Sequence, residues 1–392
     1  MLDLIHARLE GAFGRERLQR VNRAQVVVIG AGLLGGQLLQ HLAMLQVRTL
    51  IVDPGTVEPE NIGNQGLPAD RVGEPKARVR VSQMRELNPS CPVRGFEVPI
   101  EELGLGVLAD ADLILTGLDG RASRLTVARY AQQLGVDWID AAVDGSGERL
   151  LGTISWFRPG VEEQPCYGCR HDAESLARIT REERRAPCAS WRDPRLPDTP
   201  PTLTASPFGA LVAGWQMTWA LQALLGEEDQ NVGHQLQIAA SGRPRTRTVA
   251  LHRRADCLFP HQTLGPLQRL DGDGVEELLV RAKRDLGTAP SALLFPGRSL
   301  AVGLGCSVCG ATMDLVKLAA EVSDAEASCS CSPGAERTPV VLTDRIEGAT
   351  LDRLRGRSWS ALGIPAEDLV SAESGERRIH YLLPARSEGE AR

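Results

Sequence analysis

The sequence predicts an α/β fold with a mainly parallel sheet, followed by a small C-terminal α+β domain built around cysteines. Three observations lead to this prediction. Short β-branched runs alternate with helical segments in the first part of the chain, a glycine-rich turn joins the first run to the first helix, and two cysteine pairs lie in the last third. Alternating strands and helices are typical of parallel sheets, because each helix carries the chain back across the sheet.

The hydrophobic pattern places the elements of the first part of the chain. The run QVVVI at 25–29 predicts a strand, residues 33–45 predict a buried helix, and TLIVD at 49–53 predicts a second strand, which together form a βαβ unit. The same pattern predicts helices at 76–87, 121–134 and 207–225 and strands at 93–98, 113–118, 137–142 and 152–157.

A change of composition near residue 262 predicts two domains. The first is expected to span residues 1–265, including a crossover segment at 170–206, and the second residues 266–392. A helix at 274–285 and short strands around the cysteine pairs are expected in the second domain.

The composition narrows the class of protein. The chain has 392 residues, of which 42% are hydrophobic, so it can bury a large core. A net charge of −6 argues against a nucleic-acid-binding protein. Apolar runs such as VVVIGAGLLGG are too short to span a bilayer, and the N-terminal segment, which has acidic residues and no apolar run, is unlike a signal peptide. We therefore expect a cytoplasmic protein without a membrane or nucleic-acid partner.

The segment GAGLLG predicts a nucleotide-binding loop of the Rossmann-like kind. Gly30, Gly32 and Gly35 fit the pattern G-x-G-x-x-G between a strand and a helix, where free N–H groups and the helix dipole favour phosphate. Asp53 ends the next predicted strand, where its carboxylate could accept hydrogen bonds from ribose hydroxyls. At this stage an NAD-dependent dehydrogenase fits equally well, and a purely structural glycine turn is the alternative.

Five further segments in register carry a resemblance to a known family. They are DPGTVEPENIGNQGLPADRVGEPKA at 53–77, NP at 88–89, LTGLDG at 115–120, GTISWFRPG at 152–160 and PCYGC at 165–169. Over roughly residues 8–262 the chain resembles the ThiF-type adenylyltransferases, which include the ubiquitin-activating enzymes and the bacterial enzymes that activate sulfur-carrier proteins.

The resemblance implies a role for several residues around ATP. Gly32 would contact the nucleotide through its backbone and Asp53 would hold the ribose. Asn61 and Gln65 match the element N-x-x-R-Q of the family, which lies along the phosphates.

Two further residues would be catalytic. Lys76 matches the family lysine that contacts phosphate, and Asp119 matches the aspartate that binds Mg²⁺. A lysine and a metal ion suit the attack of a carboxylate on phosphate, because two anions must meet.

The chain departs from the family at Asn64, where the N-x-x-R-Q element has arginine, and at Gly120, where asparagine is usual. The lost arginine removes a charge-assisted contact to phosphate. Arg8, contributed by a dimer partner, is the preferred replacement. The other candidates are Arg15, Arg17, Arg71 and Arg124. The alternative is a subunit that adenylates poorly or not at all.

Seven of the nine cysteines lie in patterns that suggest metal sites. Cys166 and Cys169 match the first zinc pair of the family, with Cys257 and His261 as the expected partners and Cys306 with Cys309 as the alternative. We prefer to assign four other cysteines to a second, zinc-ribbon-like site. They are Cys306, Cys309, Cys329 and Cys331. Both zinc ions are expected to be structural. Cys91 is interpreted as a structural cysteine.

The stretch APCASWRDPRLPDTPP at 186–201 isolates Cys188 in a proline-rich loop. A cysteine followed by PRLP resembles the catalytic segment of the enzyme that activates the ubiquitin-like protein NEDD8. Arg184, Arg185 and Arg192 would lower the pKa of this thiol. The resemblance makes Cys188 the catalytic nucleophile, and an inert loop cysteine is the alternative.

Together these features predict an activating enzyme for a small ubiquitin-like protein with a C-terminal glycine. Its C-terminal carboxylate would be adenylated with ATP and Mg²⁺, passed to Cys188 as a thioester and then handed to a conjugating enzyme, with the activating enzyme working as a homodimer. A sulfur-carrier adenylyltransferase and a non-catalytic scaffold of the same fold are the alternatives. An NAD oxidoreductase is disfavoured, since no acid or base for hydride transfer is evident.

Overall fold

The computed structural model of the protein describes residues 7–145, 150–185, 205–227 and 230–385, with the backbone alone for 180–185. The described chain is a mixed α/β protein with a large, mainly parallel sheet, which confirms the predicted fold class. It divides into two units. The first consists of residues 1–101 and 110–263, and the second of residues 102–109 and 264–392. None of the described helices is both long enough and apolar enough to cross a membrane.

The first unit is organised by an eight-stranded sheet. Its strands are β1 (Gln25–Ile29), β2 (Arg48–Val52), β3 (Val93–Phe96), β4 (Leu113–Thr116), β5 (Trp138–Asp144), β6 (Leu151–Phe157), β7 (His234–Ala239) and β8 (Arg245–Ala250). They lie in the order β3-β2-β1-β4-β5-β6-β7-β8. The five strands from β3 to β5 pair in parallel, and the remaining pairs are antiparallel.

Eight helices belong to the described part of this unit. They are α1 (Ala7–Phe13), α2 (Arg15–Arg23), α3 (Leu33–Met44), α4 (Pro59–Gln65), α5 (Lys76–Leu87), α6 (Arg121–Leu134), α7 (Ala173–Arg185) and α8 (Ser206–Leu225). Eight of the twelve residues of helix α3 are buried, and the helix packs against α8, where a Cβ atom on Gly209 would come within 2.4 Å of Leu33. This burial explains why most positions of α3 are apolar or glycine.

The second unit contains two sheets. Its strands are β9 (Leu267–Arg269), β10 (Ala292–Leu294), β11 (Leu300–Cys306), β12 (Thr312–Leu318), β13 (Arg337–Thr343), β14 (Arg345–Glu347), β15 (Leu369–Ser374) and β16 (Arg377–Leu382). Its helices are α9 (Val275–Leu286), α10 (Asp324–Ala327) and α11 (Gly348–Asp352). One sheet has the order β14-β10-β15-β16-β9, and the other, antiparallel throughout, has the order β12-β11-β13.

A buried ion pair attaches residues 102–109 to the second unit. The guanidinium of Arg298 lies 2.8 Å from a carboxylate oxygen of Asp368 and donates to the carbonyl of Leu103. The other carboxylate oxygen of Asp368 accepts the N–H of Leu105 at 2.9 Å. The sequence carries no local signal for this attachment, because the partners are about 200 positions or more apart in the chain.

Candidate functional site

The chain leaves β1 in a glycine-rich loop at the carboxyl ends of the parallel strands. Gly30 has φ of 91°, and a Cβ atom there would come within 2.7 Å of the carbonyl oxygen of Gly117. A Cβ atom on Gly35 would lie 1.8 Å from the carbonyl oxygen of Gly30. Both glycines are therefore required by the loop itself. Because the strand order reverses beside β1, this edge is the usual ligand crevice of an open α/β sheet.

The loop presents free backbone donors at the start of α3. Gly32 caps this helix, and within the described residues neither its N–H nor that of Leu33 donates to another backbone group. Such N–H groups at a helix N-terminus bind anions, since the helix dipole adds to their partial charge.

Asp53 holds the loop in place from the end of β2. Its side chain is 9% exposed, and its two carboxylate oxygens accept the N–H of Ala31 at 2.6 Å and the N–H of Gly55 at 2.7 Å. Each oxygen keeps a lone pair for a further donor. The carboxylate therefore supports the loop and still has acceptor capacity for a hydroxyl group.

Helix α4 carries the phosphate element, in which Asn61 and Gln65 match the family pattern and Asn64 departs from it. The side-chain oxygens of Asn64 and Gln65 are buried and have no hydrogen-bond partner among the described residues. The amide of Gln65 faces Gly32, 3.7 Å from the position of a Cβ atom there. Buried polar atoms normally have partners, so these two oxygens are unsatisfied acceptors, and that of Gln65 lies beside the loop. Asn61 differs, because its amide oxygen accepts the N–H of Glu58 at 2.9 Å and caps the helix.

Lys76 and Asp119 lie at the same edge of the sheet. Lys76 is the first residue of α5, and its N–H donates to the carbonyl of Gly55 at 2.8 Å. Its half-buried side chain passes Gly55, which places it beside Asp53. Asp119 follows β4 and is exposed.

One further residue beside the loop was not predicted from the sequence. Arg80, one turn after Lys76 on α5, is 2% exposed and donates to the carbonyls of Ala31, Gly32 and Gln65. The sequence signal for its burial is that Arg80 lies between two valines of α5, four residues after Lys76.

Four of the five candidate arginines are held in ion pairs. These pairs are Arg15 with Glu10, Arg17 with Glu227, Arg71 with Glu74 and Arg124 with Asp140. Arg124 is buried and also donates to the carbonyl of Leu118, so it supports the turn before Asp119. Arg8 lies exposed on α1.

The predicted nucleophile and its basic neighbours are not among the described side chains. Cys188 and Arg192 lie outside the described residues, and the side chains of Arg184 and Arg185 are likewise outside them. Cys91 is described and is buried, and this burial raises the pKa of its thiol.

The first sulfur cluster brings Cys166 and Cys169 together with Cys257 and His261, their expected partners. The Sγ of Cys166 lies 3.8 Å from that of Cys169 and 3.7 Å from that of Cys257. The Nε2 of His261 lies 3.4 Å from the Sγ of Cys169. Tetrahedral zinc with Zn–S bonds of about 2.3 Å separates its sulfurs by about 3.8 Å, so the donor set and spacing fit one zinc ion. A hydrogen bond from the Cys166 thiol lowers the pKa of Cys169 to about 4.

The second cluster lies at the ends of the three-stranded sheet. It consists of Cys306, Cys309, Cys329 and Cys331, whose sulfurs all lie within 4.8 Å of one another. The Sγ atoms of Cys306 and Cys331 are 3.7 Å apart. The N–H groups of Cys309 and Val308 lower the pKa of Cys306 to about 6, which favours the thiolate that binds metal. This cluster also has the donor set and spacing of a zinc site.

Comparisons with known proteins agree with this geometry. The sequence profile of the ThiF family matches residues 6–259. A sulfur carrier protein adenylyltransferase of Thermus thermophilus is 34% identical over 162 residues, covering 40% of this chain and 58% of that protein. The NEDD8-activating enzyme E1 catalytic subunit of Schizosaccharomyces pombe is 28% identical over 192 residues, covering 47% and 40%. The chain thus spans about half the length of these relatives.

A solved structure has the same fold over most of the chain. The crystal structure of MccB from E. coli with ATP superposes with a TM-score of 0.51 at 17% identity, covering 65% of this chain and 74% of that one.

Proposed function

The chain belongs to the ThiF family, and on that premise we propose that it is an adenylyltransferase that activates the C-terminal carboxylate of a small protein with ATP. One observation carries the proposal. The glycine-rich loop, Asp53, Lys76 and the unsatisfied side-chain oxygen of Gln65 come from separate segments and lie beside one another at the carboxyl edge of the parallel strands. The structure of MccB with ATP supports the choice of nucleotide.

The proposed reaction is a displacement at the α-phosphate. A carboxylate oxygen attacks the α-phosphorus of ATP, the bond to the β-phosphate oxygen breaks, and pyrophosphate leaves with an acyl adenylate as the other product. The N–H groups of Gly32 and Leu33 bind phosphate oxygens, and the ammonium of Lys76 stabilises the charge that develops on them. Asp119 would hold Mg²⁺, which would supply further neutralisation of the phosphate charge.

The finer proposal is that the substrate is a ubiquitin-like protein ending in glycine. In a second step the thiolate of Cys188 attacks the carbonyl carbon of the adenylate, AMP leaves, and a thioester forms that a conjugating enzyme collects. The similarity to the NEDD8-activating enzyme and the PRLP sequence that follows Cys188 support this step. A homodimer in which Arg8 reaches the partner's crevice belongs to the same proposal.

Sulfur-carrier activation is the second candidate. It is favoured by the 34% identity with the Thermus thermophilus enzyme. In that case the acyl adenylate is the product that this chain releases for sulfur transfer, and Cys188 carries no substrate.

Both cysteine clusters are proposed to hold structural zinc. Cys166, Cys169, Cys257 and His261 would bind one ion, and the four cysteines of the second cluster another. Four protein ligands close the coordination sphere, so neither ion would be open to substrate.

The test combines the purified protein with Mg·ATP and a candidate ubiquitin-like protein encoded beside it. Release of AMP and pyrophosphate is measured together with intact-protein mass and a non-reducing gel. Wild type is compared with Cys188→Ala and with the matched variant Cys91→Ala.

An ATP-dependent adduct that thiol reagents remove, present in wild type and Cys91→Ala but absent in Cys188→Ala, supports the thioester. Pyrophosphate release without an adduct in any of the three proteins supports the sulfur-carrier candidate. If none of them turns over ATP or binds it, the adenylyltransferase proposal fails.

A further inference from the structure

Arg80 lies behind the phosphate-facing loop and joins two of its walls. Its Nε donates to the carbonyl of Ala31 at 3.1 Å, and one Nη donates to the carbonyls of Gly32 at 3.1 Å and Gln65 at 2.7 Å. The other Nη donates to the side chain of Gln83 at 2.8 Å. All these hydrogen bonds of the guanidinium are to neutral oxygens, in the loop, in α4 and in α5 itself.

The charge of Arg80 has no direct carboxylate partner among the described residues. Burial lowers its pKa to about 10, with Asp53 as the compensating charge that raises it. The side chain is still a cation at neutral pH. A buried cation without an ion pair is costly, and an anion bound in the adjacent crevice would offset that cost.

The hydrogen bonds of Arg80 also set the direction of the loop amides. A trans peptide is planar, so its N–H points opposite to its C=O. Holding the carbonyls of Ala31 and Gly32 towards the guanidinium directs the N–H groups of Gly32 and Leu33 away from it. These are the donors that lack a backbone partner.

Gly36 makes room for the guanidinium. A Cβ atom there would lie 2.3 Å from an Nη of Arg80 and 2.5 Å from its Cζ. The last glycine of GLLGG is thus explained by Arg80, because any side chain at this position would displace the guanidinium.

We propose that Arg80 is a positioning residue of the nucleotide site, which aims the N–H groups of Gly32 and Leu33 at the phosphates and supplies from behind the positive charge that Asn64 does not. This inference rests on the proposed ATP-dependent function. Arg80 would thus provide positive charge near the phosphates, as the arginine of the N-x-x-R-Q element is expected to do in the family.

The test measures the dissociation constant of Mg·AMPCPP, a non-hydrolysable ATP analogue, by titration calorimetry on the full chain. Arg80→Gln is compared with Arg78→Gln, which changes an exposed residue of the same helix. Each protein is measured well below its own unfolding temperature, so that a merely structural role does not alter the result. We expect Arg80→Gln to weaken binding about tenfold or more and Arg78→Gln to leave it unchanged.

Two more variants separate position from charge. Gly36→Ala keeps the cation and displaces it, and Gly63→Ala is its control because nothing lies within 4 Å of a Cβ there. Arg80→Lys keeps the charge and loses most of the carbonyl contacts. We expect weaker binding in Gly36→Ala, intermediate binding in Arg80→Lys and normal binding in Gly63→Ala.

Binding within twofold of wild type in Arg80→Gln, or in both Gly36→Ala and Arg80→Lys, overturns the inference. If Arg80→Gln does not fold, Gly36→Ala and Arg80→Lys test the inference in its place. Wild type that fails to bind the analogue refutes the proposed function instead, so the two failures are distinguishable.

Discussion

The Oδ2 of Asp53 lies 2.6 Å from the backbone nitrogen of Ala31, so the carboxylate at the end of β2 holds the loop that follows β1. Its other oxygen holds Gly55, next to the side chain of Lys76. One buried carboxylate therefore connects the loop, the second strand and the lysine. The nucleotide role predicted for Asp53 and this structural role use different lone pairs of the same group.

We expect Asp53→Asn to destabilise the protein and to weaken nucleotide binding. An amide can accept only one of the two N–H groups and turns a donor towards the other, which costs about 1–3 kcal/mol in free energy of unfolding. Urea denaturation and calorimetry with Mg·AMPCPP measure the two effects. Asp70→Asn, an exposed change in the same unit, is the control. Unchanged stability in Asp53→Asn would contradict the supporting role of the carboxylate.

Zinc content provides a second prediction. The purified protein should contain two zinc ions per chain, one for each cluster. Cys166→Ser and Cys329→Ser should each lose one ion, because a closed site with a missing thiolate binds zinc far more weakly. Elemental analysis by mass spectrometry measures the content. Cys91→Ser is the matched control, since this buried cysteine lies outside both clusters. Equal zinc in all four proteins would refute both sites.

Much of the first unit could be predicted from its sequence because its signals are local. The β-branched runs of β1 and β2 and the helices at 76–87 and 121–134 follow from hydrophobic period and flanking glycine or proline. The glycine loop follows from the local pattern G-x-G-x-x-G between a strand and a helix, although the contact that requires Gly30 is to Gly117, far along the chain.

The remaining features depend on partners that are distant in the sequence. The role of Arg80 depends on carbonyls 15 to 49 positions away, and a helical arginine is usually exposed. Spacing alone could not decide whether Cys257 with His261 or Cys306 with Cys309 completes the first cluster. Residues 102–109 join the second unit through Arg298 and Asp368, which no local pattern reveals.

The closeness of Gly35 to Gly30 gives a third prediction. In Gly35→Ala the new Cβ atom would lie 1.8 Å from a backbone oxygen, so the loop or α3 must move. We expect a loss of about 1–3 kcal/mol in free energy of unfolding and weaker binding of Mg·AMPCPP. Gly63→Ala, in open space on α4, should instead be neutral or slightly stabilising, because alanine favours the helix. Similar stability of the two variants would refute the close approach.

A fourth prediction concerns the pH dependence of the second unit. His380 is buried, its Nδ1 lies 2.7 Å from the Oγ of Ser371, and burial together with the charge of Arg378 lowers its pKa below the ordinary value of 6.5. The unfolded chain therefore takes up a proton near pH 6.5 while the folded one does not. The stability contributed by His380 is complete above pH 6.5 and declines as the pH falls towards the folded pKa.

The comparison of wild type with His380→Gln isolates this contribution. The difference in free energy of unfolding between the two proteins should shrink as the pH falls from 7.5 to 5.5, because only wild type has the histidine that titrates. Urea denaturation across this range measures it, and taking the difference cancels the effect of pH on the cysteine clusters. His252→Gln, at an exposed position of the first unit, should show no such change. A difference that is constant with pH would mean that His380 titrates alike in the folded and unfolded chains, and that its burial does not hold it neutral.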